Sequence, residues 1–224
     1  MADAIGQVLS FGVGVSLSPV PVIAVVLMLA TPRARVNGPA FVLGWIGGLA
    51  VVGSLVLVLA GSGDARQDGD TATWVGVLKL VLGALLLLVA ARQWRSRRAT
   101  GGAPELPGWM RTIDRFSPAR SFGVAAALSG VNPKNLLLTV GAAAAIAGAD
   151  AGTGEELVAL AVFILVGTLG PAAPVVMYFA MGTRATRLLA ELKDWLGANN
   201  SAIMAVVCLV IGAKLIGDGI AGVG

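Results

Sequence analysis

The sequence predicts an all-α integral membrane protein, with six transmembrane helices forming two inverted three-helix repeats whose first and fourth helices are broken at proline. Composition gives the class. The 224 residues are 57% apolar and only 12% charged, with a mean hydropathy of +0.87, whereas soluble domains carry about 25% charged residues. A recurring motif gives the repeat. Phe11-Gly12-Val13-x-x-x-Leu17-Ser18-Pro19-Val20-Pro21 returns as Phe122-Gly123-Val124-x-x-x-Leu128-Ser129-Gly130-Val131-Asn132-Pro133-Lys134. Each copy lies in a long apolar segment and puts proline where a helix interior is expected, removing a hydrogen bond and clashing with the preceding turn. In hydrocarbon such a break survives only where the freed groups face protein or a water-filled cavity, and matched breaks in two halves mark a transporter's binding site.

A spanning helix needs roughly 20 apolar residues. Six segments qualify, at about 4–30, 39–60, 74–91, 121–148, 156–181 and 200–220. The chain 1–224 is then a single membrane domain: repeat one at about 4–91, a cytoplasmic linker at 92–120, and repeat two at about 121–224. The start, Met1-Ala2-Asp3, lacks a basic n-region, so the first span reads as retained rather than as a cleaved signal. In the second span Gly44, Gly47 and Gly48 make a small-residue face suited to helix packing. In the third, Lys79 sits near the outer end and snorkels to the interface.

Within the linker, Trp109, Ile113 and Phe116 recur at i, i+4 and i+7, predicting a short helix in the cytoplasmic interface held by its aromatic rings; a docking site for a partner is the alternative. In the fifth span Pro171-Ala172-Ala173-Pro174, beside Thr168 and Gly170, predicts a break that acts as a kink, with a hinge or part of the cavity wall as the alternative. The sixth span carries Lys214 four residues before Asp218, a peripheral ion pair. Repetition extends past the motif: Val77-Leu78-Lys79-Leu80-Val81-Leu82-Gly83-Ala84 aligns with Val206-Val207-Cys208-Leu209-Val210-Ile211-Gly212-Ala213, and Phe41-Val42-Leu43 with Phe163-Ile164-Leu165. Three spans per half reverse the direction of entry, so the halves are inverted and their interface lies near the midplane.

Charge sets the orientation. Of sixteen basic residues, twelve fall in the connections 31–38, 92–120 and 182–199, whereas the opposite connections hold only Arg66 among Asp64, Asp68, Asp70, Asp150, Glu155 and Glu156. By the positive-inside rule the basic connections are cytoplasmic and both termini lie outside. The pI near 9.8 therefore reflects topology, and no nucleic-acid partner is expected. There is no histidine, and Cys208 is the only cysteine, which excludes an internal disulfide and argues against a Cys/His metal site. No cofactor or metal is expected. Without histidine or an intramembrane carboxylate there is no evident general base, so the chain does not read as an enzyme.

Two inverted triplets with proline-broken first and fourth spans resemble the lysine-exporter (LysE) superfamily. Within it, Ser18-Pro19-Val20-Pro21, Thr31-Pro32-Arg33-Ala34-Arg35, Asn37-Gly38-Pro39-Ala40-Phe41, Trp109-Met110 with Ile113-Asp114, and Asn132-Pro133-Lys134-Asn135 look like the actinobacterial GAP family. That family includes the glycopeptidolipid-addressing and sulfolipid-addressing (Sap) proteins. The resemblance spans essentially the whole chain. It implies a small protein of the bacterial plasma membrane that helps move lipids or other small molecules, works alongside a large lipid exporter, and forms a homodimer. Related thiol-disulfide carriers need a cysteine in each broken helix, and manganese-type exporters need intramembrane carboxylates; neither is present here.

Lys134 is the deepest charge, roughly 20 Å into the fourth span at 1.5 Å per residue. An ammonium there costs at least about 2.5–3.5 kcal/mol on insertion scales, so it faces the bundle interior. With the amides of Asn132 and Asn135 it can hold an anionic head group. Alternatively, it satisfies carbonyls of a broken helix, such as those at Ser18–Pro21 across the pseudo-symmetry axis. The expected substrate site therefore comprises Ser18, Pro19, Pro21, Asn132, Pro133, Lys134 and Asn135. The expected function is export of a small anionic or amphipathic solute, a lipid or lipid precursor included, by alternating access between the repeats. The alternative is a non-transporting accessory subunit of a larger lipid exporter.

Overall fold

A computed structural model describes residues 2–61, 71–99, 108–149 and 152–223. Asp64, Arg66, Asp68, Asp70, Asp150 and the linker stretch 100–107 lie outside the described residues. The order is α1 (Ala2–Ser16), α2 (Pro19–Leu29), α3 (Ala34–Gly61), α4 (Thr71–Ala99), a short 3-10 helix (Gly108–Arg115), α5 (Pro118–Gly130), α6 (Pro133–Ala147), α7 (Thr153–Met181) and α8 (Thr183–Val223). Among the described residues every regular element is helical. Four helices, α3, α4, α7 and α8, are long and apolar enough to cross a membrane, and α1 with α2 makes a fifth if the bent pair is one span. Large apolar side chains such as Leu43, Val51, Leu55 and Val58 on α3 and Leu165, Leu169 and Val176 on α7 point outward. Soluble monomers rarely expose apolar patches on this scale. The architecture is that of a multi-pass membrane protein.

Both expected breaks are present, but their prolines do not sit inside helices. α1 stops at Ser16, and α2 starts at Pro19 after a 53° bend. α5 stops at Gly130, and Pro133 starts α6. Pro19 and Pro133 occupy the first helical turn, where the missing N–H would have no partner anyway. The expected fourth span, 121–148, is thus two helices of 13 and 15 residues, each too short to cross alone.

The expected breakers of the fifth span do lie within a helix. α7 runs unbroken past Pro171 and Pro174. Proline at 171 leaves the carbonyl of Gly167, four residues back, without its helical donor. The Trp45 indole on α3 supplies one: its Nε1–H donates to Gly167 O at 3.1 Å. Trp45 is fully buried and stacks on Phe41. A neighbouring helix here restores the hydrogen bond that proline removes.

The connection expected at 182–199 is instead the first part of α8, which runs unbroken for 41 residues. Only Gly182 separates α7 from α8, at φ 56°, a left-handed conformation that glycine adopts without steric cost. From Thr183 to Leu196 the sequence has no glycine or proline, and its leucines and charged residues favour helix. The basic content that reads as a loop is carried on a helix. α4 likewise passes its expected end and carries Arg92 and Arg95. The short linker helix is 3-10 rather than α. Its Met110 and Ile113, with Phe116 just beyond, are buried in the core cluster, and Asn37 Nδ2 donates to Phe116 O at 3.0 Å. Of the three side chains expected at the interface, Ile113 and Phe116 face the bundle, and Trp109 is half-buried.

Glycines set the closest helix pairs. A Cβ on Gly83 would lie 2.9 Å from Gly212 O and one on Gly212 would lie 3.1 Å from Gly83 O; Gly76 and Gly219 are related in the same way at 3.2 and 2.9 Å. These reciprocal contacts make α4 and α8 antiparallel, backbone against backbone. Gly44 and Gly48 press on α5 at Phe122 and Ala126, while Gly167 and Gly170 of α7 press on α1 at Val15 and Ser16. The small-residue face of the second span is therefore used for packing. Phe11, Met28, Phe41, Trp45 and Phe163 fill the space between.

Candidate functional site at the two helix breaks

The last turn of any α-helix leaves carbonyls without intrahelical donors, and in hydrocarbon each must find one. At the end of α1, Leu17 N–H serves Val13 O at 2.9 Å and the Ser18 hydroxyl lies 2.7 Å from Val15 O. Lys134, from the start of α6, serves two more carbonyls at this break. Its Nζ donates to Gly14 O at 2.7 Å, to Leu17 O at 3.3 Å and to Ser18 Oγ at 2.7 Å. An ammonium has three donors, and all three are used. The residue is 2% exposed. The partial negative charge at the end of α1 compensates the buried cation.

The second break supplies its own partners. Asn132 caps α6 by accepting from Lys134 N–H at 3.1 Å. Asn135 Nδ2 donates to Leu128 O of α5 at 3.0 Å, and the Ser129 hydroxyl donates to Ala126 O at 3.1 Å. The two breaks meet where Ser18 Oγ lies 3.1 Å from Asn135 Oδ1. Ser18 thus accepts from Lys134, and its one proton serves either Asn135 or Val15.

Of the sequence-predicted residues, Ser18, Lys134 and Asn135 form one buried network, with Asn132 joined to it through the backbone. Pro19 and Pro21 are buried at the start of α2 without polar contact, and Pro133 is exposed at the start of α6. The network also needs the carbonyls of Gly14 and Leu17, and Thr139, whose hydroxyl donates to Asn135 O at 2.8 Å. Backbone acceptors have no sequence signature, but Thr139 sits four residues after Asn135 and was findable by helical spacing. Further out, Lys214 pairs with Asp218 at 2.6 Å and lies 5.6 Å from the Phe11 ring centre. Among the described residues no three His, Cys, Asp or Glu side chains cluster as metal ligands.

Two apolar cavities flank the first break. One, of about 540 Å³, is bounded by Ser16, Leu17, Ser18, Pro174, Trp195 and Val206. The other, of about 490 Å³, is bounded by Ser10, Val13, Gly14, Leu17, Val210 and Lys214. Val206 and Val207 of α8 line both. Ser18 links the first cavity to Lys134.

No curated protein and no solved structure matches the chain. Residues 8–221, nearly its full length, match the family described as Sap, sulfolipid-1-addressing protein. The chain therefore belongs to the Sap, sulfolipid-1-addressing protein family.

Proposed function

We propose that the protein is an exporter of an anionic or amphipathic solute, a lipid or lipid precursor, in a bacterial plasma membrane. Its scaffold is that of the LysE superfamily, with six spans in two inverted repeats and both termini outside. Three kinds of observation support the scaffold. α4 and α8, whose sequences match, run antiparallel. The helix following one break packs on the first half of the other, α3 on α5 and α7 on α1. Each half also begins with a helix broken just before a proline. The family's name supports a lipid cargo.

Burial of Lys134 among exchangeable acceptors carries the proposal. In the conformation described, the ammonium holds the end of α1. An anionic head group entering beside Ser18 competes with Gly14 O and Leu17 O for it. A charge-assisted bond to phosphate, sulfate or carboxylate is stronger than one to a neutral carbonyl. Loaded and empty states therefore differ in whether α1 is tied to α6, and that differential interaction is what shifts a conformational equilibrium. No covalent chemistry is involved, and the protein is not an enzyme.

In proteoliposomes the wild-type chain is expected to move a labelled anionic lipid between leaflets. Lys134→Met keeps the aliphatic stem and is expected to stop transfer while still giving a monodisperse folded protein. Transfer at the wild-type rate in that variant would overturn the role of Lys134. One observation favours a second reading. All three donors of Lys134 are already met by protein, as expected of a purely structural lysine in an accessory subunit of a larger lipid exporter. Absence of transfer by the purified protein, with co-purification of an exporter that needs it, would support that reading.

A further inference from the structure

We propose that the two cavities beside the first break form one lateral groove that seats an acyl chain of a membrane lipid. The proposal rests on the reading of the protein as a lipid carrier and adds where the hydrophobic part of the cargo lies. Leu17, Val206 and Val207 line both cavities, which therefore adjoin along α8. From Trp195 to Lys214 the groove follows α8 for about 28 Å at 1.5 Å per residue, close to the ~30 Å depth of a bilayer's hydrocarbon. It opens outward, because Leu17, Val206 and Val210 are half-exposed or more. Its few polar lining residues fall at three heights: Asn199 at one end, Ser16 and Ser18 at the break, Ser10 and Lys214 at the other end. That pattern suits an amphipathic molecule whose polar end meets Ser18 and whose chain runs along α8.

The groove walls favour a chain over a second transmembrane helix. Close helix pairs in membranes use small residues, and the glycines of α3, α4, α7 and α8 that face neighbours are engaged inside this molecule. The groove is rimmed instead by Leu9, Val13, Leu17, Val206 and Val210. Gly14 lies beneath, facing Ile211 and Leu138. Bulky branched rims suit a flexible hydrocarbon chain better than a rigid helix about 10–12 Å across.

The test uses the full chain in phospholipid vesicles doped with phosphatidylglycerol bearing a diazirine in one acyl chain, with adducts located by mass spectrometry after irradiation. Leu17, Val206, Val207 and Val210 are expected to be labelled several-fold more than Val51, Leu55 and Val58 on the outward face of α3. Val206→Trp is expected to deplete labelling of its groove neighbours. Val206→Phe does so less, and Leu55→Trp leaves the groove signal unchanged. Matched thermal unfolding of the variants separates blocked grooves from misfolded protein. Equal labelling of groove and α3, groove labelling indifferent to Val206→Trp, or crosslinks from the groove to a second copy would each overturn the proposal. Groove labelling without lipid transfer supports the groove while removing the carrier reading. Transfer without groove labelling removes the groove alone.

Discussion

The two broken helices differ in how they handle the same problem. At the α5–α6 break, Asn132, Asn135 and Ser129 all serve groups within that half. At the α1–α2 break, Ser18 supplies one local hydroxyl, while Gly14 O and Leu17 O depend on a lysine 117 to 120 residues away. Apart from the Ser18–Asn135 contact that joins them, the second break is self-contained and the first is completed by its counterpart. A break that borrows its donor can be released by whatever captures that donor, whereas a self-contained one cannot.

The asymmetry can be broken experimentally. Lys134→Ala is expected to have the largest effect, on the order of 1–3 kcal/mol for each acceptor left bare, read as the largest fall in Tm in detergent. A Tm near wild type would mean that water enters the first break and that the dependence is not real. Trp45→Phe comes next, because it exposes Gly167 O opposite Pro171. It should cost about 1–3 kcal/mol in the wild-type chain and measurably less in a Pro171→Ala background, where the helix regains its own donor. Equal losses in both backgrounds would sink that account. Asn132→Ala removes only a local cap and should cost about 0.5–2 kcal/mol; a loss as large as that of Lys134→Ala would show that the second break is not self-contained. Asp218→Asn, at a partly exposed pair four residues from Lys214, should change stability by only about 0.2–0.5 kcal/mol and sets the baseline.

Much of this was legible in the sequence, for identifiable reasons. Proline marked the two breaks at Pro19 and Pro133, although Pro171 and Pro174 lie in an unbroken helix, and an ammonium deep in an apolar segment must face inward, so Ser18, Lys134 and Asn135 could be named together. The helical reach of α8 was obscured because Arg184, Arg187 and Lys193 lower local hydropathy without lowering helix propensity. The continuity of α7 was obscured because it depends on Trp45, a residue 122 positions from the carbonyl it serves. Aromatic spacing in the linker was visible, but not the side it would face: periodicity gives a stripe, and the partner decides whether that stripe meets lipid or protein. The proline positions were misread by a few residues, since a helix interior and a first turn look alike until the ends are known.

The lysine that completes the first break also imposes an order on biogenesis. Synthesis runs from the N-terminus, so Gly14 and Leu17 enter the bilayer long before Lys134 leaves the ribosome. During that interval their carbonyls lack the ammonium donor that holds them in the finished protein. When residue 134 arrives, the cation finds its acceptors already in the membrane. The first break is therefore not finished until the second half is made. The two halves cannot be exchanged for independently folding units, however alike their sequences look.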